Sequence, residues 1–238
     1  MSKIIDVHCH LNARRDVRAL LRRMDELDIE KAAVCAGKAA IAYDNRRGNR
    51  MLAGVVKEHP DRLAGFASAT PWSGQRGLTE LRRSLDAGLR GFKVHSHLQG
   101  FRLSDEILDP FVEICREYAC PVYCHTGTPV TAMPFQLACL AGRHPEVLFI
   151  EGHMGWSDFW YDAAEAARLA PNLYLETSHM FGGTIEAAVR SLGAGRILFG
   201  TNAPVSHAGT EVSKIRRLQI PDRDIRAILC ENARKLLP

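Results

Sequence analysis

A chain of 238 residues suits one large domain, and an α/β barrel of about 250 residues just fits. With 46% hydrophobic and 24% charged residues the composition is that of a globular protein, and a net charge of +4, scattered over helix faces, is too mild to indicate nucleic acid. No apolar run is long enough for a membrane and no signal peptide is evident; seven cysteines, an odd number with Cys9, Cys35 and Cys124 in apolar segments, read as reduced thiols of a cytoplasmic protein.

Short apolar runs alternate with stretches of helical period. Strands are predicted at Lys3–His8, Lys31–Ala36, Arg62–Ala67, Gly91–His95, Pro121–His125, Val147–Gly152, Leu173–Thr177 and Ile197–Gly200. Helices are predicted near Arg15–Leu27, Asn49–Glu58, Leu78–Ala87, Asp109–Tyr118, Met133–Arg143, Phe159–Leu169, Gly182–Leu192 and Thr210–Arg217, and a last one lies in "DRDIRAILCENARKLL". The connectors "HPDRLAGF", "HPEVLFIE" and "APNLYLET" reuse one device, a proline that stops a helix ahead of a strand. Eight β-α units with continuously apolar strands predict a parallel sheet covered by helices: a single-domain (β/α)8 barrel over residues 1–238, with an open doubly wound sheet as the alternative.

Strand C-termini of such a barrel share one mouth, where chemistry is placed. His8, His10, His95, His97, His125, His153 and Asn202 all fall at or just after predicted strand ends. In "DVHCH" the i, i+2 spacing turns His8 and His10 to the axis and Cys9 to the helices, so the two imidazoles can chelate a divalent metal; a hydrogen-bonded pair without metal is the plainer alternative. His125 in "YCHTG" is the natural third ligand. His153 in "EGHMG" suits an imidazole that orients a metal-bound water or faces substrate.

In "GFKVHSHLQGF", Lys93, His95 and His97 alternate and are expected to face the mouth. Lys93 binds a substrate carboxylate or an ion partner; the less favoured reading is a carbamate bridging two metals, and a lysine snorkelling to the rim is the plainest. His97, Gln99 and Arg102 are candidates for an anionic group of the substrate, and His179 after "YLETS" reaches substrate by position. Trp156 and Trp160 wall the pocket or pack. His59 and His144 precede prolines at helix ends and are expected to cap helices, and His207 to start one. The cysteines of "CREYACPVYCH" lack paired zinc spacing and read as buried thiols.

From "IIDVHCHL" through "GFKVHSHLQGF", "PVYCHTG", "EGHMG", "NLYLETS" and "RILFGTNAP" to "ENARKLL", the chain resembles the amidohydrolase superfamily, in the branch of aminocarboxymuconate-semialdehyde decarboxylase-like hydrolases. The resemblance implies a (β/α)8 barrel with one divalent ion, commonly zinc, held by His8, His10 and His125, with His153 polarising water or substrate. In that family the residue at position 202 is an aspartate that completes the metal site and serves as general base. Here it is Asn202, whose neutral amide can ligate a metal but cannot take a proton from bound water.

The expected function is hydrolysis of a small polar amide, ester or lactone by metal-activated water. Non-oxidative decarboxylation at the same centre is the runner-up, and a non-catalytic metal- or ligand-binding barrel the third reading. Were water the nucleophile, His95, His153 or Glu151 would have to replace the missing base. The expected partner is a small-molecule substrate, not nucleic acid or membrane; a homodimer is left open.

Overall fold

The computed structural model describes residues 3–237. Eight strands form one parallel sheet in chain order: β1 (Ile4–Leu11), β2 (Ile29–Ala36), β3 (Leu63–Ala67), β4 (Gly91–Val94), β5 (Val122–His125), β6 (Phe149–Gly152), β7 (Leu173–Glu176) and β8 (Ile197–Leu198). The sheet closes on itself where Val7 N donates to Phe199 O (2.9 Å), Asn202 N to His8 O (2.7 Å) and His10 N to Ala203 O (2.7 Å). Helices cover the outside, which makes the fold a single-domain (β/α)8 barrel, as the alternation of strand and helix signals predicts.

Alternation along the strands sorts side chains into two layers. Ile4, Val34, Phe92, Val122 and Phe149 pack outward under the helices. Ile5, Ala33, Phe66, Tyr123, Ile150 and Leu198 fill the interior, and Cys230, Ala233 and Leu237 of the C-terminal segment join that inner cluster. The helix Val17–Glu26 is amphipathic, and its arginines Arg18, Arg22 and Arg23 stay exposed while Met24 is buried. No helix among the described residues is long and apolar enough to cross a membrane.

Most element boundaries fall within a few residues of expectation, with three instructive differences. β1 runs on to Leu11, so His10 lies inside a strand, and its register against β2 slips by one residue between Asp6 and Cys9. That bulge lets Val7 join the inner core while His8 still turns inward, a device that re-aims side chains beside active sites. β4 stops at Val94 and the chain turns into a short helix, Ser96–Gln99. The helix predicted from Phe159 begins at Ala163.

Candidate active site at the barrel mouth

Inward-facing side chains at the strand ends line a cavity of about 220 Å³: His8, His10, Lys38, Lys93, His95, His125, His153, Trp156, His179, Asn202 and Val205. A larger groove of about 640 Å³ adjoins it between the loops after β1 and β8 and shares His10 and Val205, but holds only one imidazole of the cluster. The chemistry belongs to the smaller cavity.

The two imidazoles of β1 converge. His8 Nε2 lies 3.0 Å from His10 Nε2. His10 Nδ1 meets Ala36 O at 2.9 Å, which fixes its proton on Nδ1. His8 Nδ1 meets Tyr123 Oη at 2.7 Å, and Tyr123 in turn donates to Glu176 Oε2 at 2.6 Å, so His8 also carries its proton on Nδ1. Both Nε2 lone pairs therefore point at each other, an arrangement that needs a cation or a donor between them. Lys93 Nζ, 3.2 Å from His8 Nε2 and 3.7 Å above the Tyr123 ring, is such a donor. A divalent ion fits the same pair, because each imidazole already has the outer partner that ligating histidines require.

Glu176 anchors this arrangement from below. Its carboxylate takes hydrogen bonds from Tyr123 Oη, from Ser178 N and Oγ, and from His153 N. His8, His153 and Glu176 bring ligand atoms within 4.8 Å of one another, a second grouping able to hold a metal. The atoms concerned are already committed to these hydrogen bonds, so the open Nε2 pair of His8 and His10 is the better donor set. Room for the Tyr123–Glu176 contact comes from two glycines: a Cβ at Gly152 would collide with Tyr123 Oη, and one at Gly200 with Glu176 Oε1.

His153 Nδ1 lies 2.8 Å from Ser178 Oγ, which donates to Glu176, so His153 gives its proton to Ser178 and leaves Nε2 as an acceptor. Its ring sits 5.1 Å from that of His8 and 4.9 Å from that of His125. Two ring pairs stack almost parallel, His95 on His125 at 3.9 Å and Trp156 on His179 at 4.8 Å. His153, Met154, His179 and Asn202 all hold left-handed φ angles (70°, 48°, 64° and 52°) just beyond β6, β7 and β8. Such strain costs of order 1–3 kcal/mol per residue and clusters at functional sites.

The electrostatics are one-sided. Burial, helped by neighbouring cations, holds His8, His95, His125 and His153 well below the ordinary imidazole range and takes His10 down to about 3, so the cluster is neutral. Burial also lowers Lys93 to about 8. Lys38, exposed at the N-terminus of the helix Lys38–Tyr43, adds a second lysine. No carboxylate lines the cavity among the described residues.

Several expected positions lie elsewhere. His97 and Arg102 are exposed and away from this cavity, because the two-residue alternation ends with β4 at Val94 and the chain coils into a helical turn. Gln99 is buried and spent on main-chain groups, accepting from His95 N and donating to Ala69 O. Glu151 faces the helix layer, since it pairs in register with outward Cys124, and neither of its carboxyl oxygens has a partner; it is removed as a candidate base. Trp160 is exposed and is not among the mouth residues. His59 and His144 end helices and His207 caps one, accepting from Thr210 N. Sequence reasoning missed Lys38, Tyr123 and Glu176. The signal for Tyr123 was present, two residues before His125 in "VYCH", and Glu176 has the same inward parity as Tyr174 in "LYLE".

The chain belongs to the amidohydrolase family, whose model matches residues 5–238. Over 78 residues it is 35% identical to 2-amino-3-carboxymuconate-6-semialdehyde decarboxylase of Dictyostelium discoideum, a match spanning 32% of this chain and only 22% of that protein. Its fold is similar to that of 2,6-dihydroxybenzoate decarboxylase from Rhizobium, with a TM-score of 0.79, 20% identity and coverage of 100% of this chain and 99% of that one. It is likewise similar to 5-carboxyvanillate decarboxylase from Sphingomonas paucimobilis (TM-score 0.79, 16% identity, 99% and 98% covered). A dihydroxybenzoic acid decarboxylase from Polaromonas, solved with bound manganese and 2-nitroresorcinol, matches at TM-score 0.79 and 20% identity over 100% of this chain and 97% of that one.

These relatives correct the expected hydrolysis: the named ones are decarboxylases. The physical reason is in the mouth. The carboxylate base expected for hydrolysis is missing: position 202 offers an amide and Glu151 faces away.

Proposed function

We propose that the protein is a metal-dependent, non-oxidative decarboxylase of a small, planar, carboxylated substrate. The observation that carries this reading is the charge of the mouth, which combines neutral imidazoles and two lysines with no lining carboxylate. Such a cavity attracts a carboxylate.

His8, His10 and His125 would hold a divalent ion. Imidazole ligands suit zinc, whereas manganese ordinarily prefers oxygen donors, and a carbamylated Lys93 with a second ion remains the less favoured arrangement. When bound, the ion supplies Lewis-acid polarisation of substrate oxygens. Lys38 and Lys93 hold the substrate's anionic groups. The stacked ring pairs His95–His125 and Trp156–His179 offer flat aromatic surface to an unsaturated frame. As the carbon–carbon bond to the departing carbon dioxide breaks, its electron pair takes a proton from His153 Nε2, which draws that proton from solvent, while the Ser178–Glu176 chain keeps its other nitrogen protonated. The seven unpaired cysteines support a reducing, cytoplasmic setting.

The test is to load the purified protein with zinc or manganese, confirm occupancy by elemental analysis, and incubate it with hydroxybenzoates and carboxylated dienoic acids. Release of carbon dioxide with loss of substrate absorbance, abolished by His153→Asn at unchanged metal content, is the expected result. Absence of carbon dioxide from the whole panel at full occupancy overturns the reading.

A further inference from the structure

At the opposite end of β5 from the active site, the helix Asp109–Glu117 ends in a turn built around Ala119, which has φ of 48°. Cys120 N donates to Cys115 O at 3.0 Å and Ala119 N to Arg116 O at 3.1 Å. This is the Schellman pattern, which presses the side chain two positions past the cap against the one three positions inside the helix. That contact is ordinarily hydrophobic. Here it is thiol on thiol: the motif sets Cys120, two positions past the cap, beside Cys115, three positions inside the helix. Both line a separate cavity of about 200 Å³ with Arg116, Glu146 and Lys235 at its wall. Cys115 is fully buried and Cys120 is 8% exposed.

We propose that Cys115 and Cys120 form a dithiol site that peroxides oxidise reversibly to a disulfide. Cys120, the more accessible thiol, reacts first, in its thiolate form. Its sulfur attacks one peroxide oxygen; an S–O bond forms, the O–O bond breaks, and the departing hydroxide takes a proton to become water. The Cys115 sulfur then attacks the sulfur of the Cys120 sulfenic acid; the S–S bond forms, the S–O bond breaks, and the departing hydroxide takes the Cys115 proton and leaves as a second water. The two thiols lose two protons and two electrons, and the peroxide is reduced to two waters. Bridge formation asks only for side-chain rotation in a turn whose backbone already sets the two residues side by side.

The experiment treats the reduced full-length protein with hydrogen peroxide, blocks remaining thiols with N-ethylmaleimide, and digests it with trypsin. Cleavage after Arg116 separates the two thiols into Leu103–Arg116 and Glu117–Arg143, the second of which also carries Cys124 and Cys139. The expected product is the two peptides joined, lighter by two hydrogens than their sum, with fragments placing the bridge at Cys120 and dithiothreitol removing it. Cys124→Ser and Cys139→Ser keep the bridge and Cys120→Ser abolishes it. The proposal is overturned if Cys115 and Cys120 are both alkylated after peroxide, if Cys115 bridges to Cys124 or Cys139 instead, or if Cys120 proceeds to sulfinic acid without bridging. The map on the unmodified chain decides this even where a variant fails to fold.

Discussion

Asn202 Nδ2 donates to His179 Nε2 at 2.6 Å, across the gap between the ends of β8 and β7. The amide makes His179 an acceptor at Nε2 and leaves its Nδ1 proton for Ser206 Oγ, 3.1 Å away. Burial holds the His179 pKa below its ordinary value. Asn202 thus sets the state of a neighbour whose ring is stacked on Trp156.

Replacing Asn202 with aspartate reverses that relationship. A carboxylate cannot donate to His179, so it favours the imidazolium and raises the His179 pKa, readable by NMR titration. It also adds an anion to a mouth that has none, so divalent ions should bind tighter by about tenfold, or ~1.4 kcal/mol. Chelator competition measures this. Unchanged metal binding by Asn202→Asp would show that position 202 does not sense the ion, and weaker binding would reverse the sign of the prediction.

Tyr123→Phe tests the outer support of His8. The hydroxyl links His8 Nδ1 to Glu176 and fixes which nitrogen faces the mouth. Losing such a partner typically weakens metal affinity 10–100-fold. Isothermal titration with zinc on both proteins checks it, with circular dichroism confirming the fold. Equal affinity would remove His8 Nε2 from the ligand set.

The barrel was legible because two periodicities, two residues per repeat in strands and 3.6 in helices, alternate eight times, and because His8, His10, His125 and His153 each end a strand signal. What was not legible follows from local breaks in those periods. The extra residue in β1 has no composition cue, since Val7 and His8 look like any strand pair. His97 follows the alternation of Lys93 and His95 on paper, yet β4 gives way to a helical turn before it. Glu151 sits at a strand end like the histidines, and only register against Cys124 shows that it points outward. The reaction class was misjudged because strand-end imidazoles serve hydrolysis and decarboxylation alike; the distinction lies in which charged groups reach the cavity.

Glu80 is the main polar tie between the helices Asn45–Glu58 and Gln75–Asp86. Its carboxylate accepts from Asn49 Nδ2 (2.8 Å), Arg83 Nε (2.9 Å) and Ser84 Oγ (3.1 Å). Burial alone would raise its pKa, but the bonds from Arg83, Asn49 and Ser84 outweigh it and the net shift is downward. A depressed carboxylate contributes stability above its unfolded pKa, and that contribution is lost as pH falls through the folded value. Glu80→Gln should therefore cost about 1–2 kcal/mol at pH 7, and the difference should shrink as the pH is lowered through the unfolded value and on towards the folded one. Urea unfolding at pH 7 and in acid is the measurement; a penalty that persists undiminished in acid would place the effect in packing instead.

Glu151 carries the opposite sign. Burial first, and Asp162 second, push its pKa well above the ordinary carboxylate value, and neither oxygen has a hydrogen-bond partner. In the unfolded chain the same group ionises near its ordinary pKa. Above that pH the folded state holds a proton that the unfolded state has released, so stability falls as pH rises, by up to about 1.4 kcal/mol per pH unit until the folded pKa is reached. Glutamine has nearly the same shape and does not titrate. Glu151→Gln should therefore flatten the decline of stability between pH 5 and pH 7, whatever it does to the absolute value. The readout is the difference in slope from urea unfolding at pH 5, 6 and 7, where contributions of other groups cancel between the two proteins. Because the side chain points away from the mouth, the variant should bind divalent metal like the parent. Parallel slopes would mean that Glu151 is ionised in the folded state, with a partner in the helix layer. A large loss of metal affinity would return it to the active site.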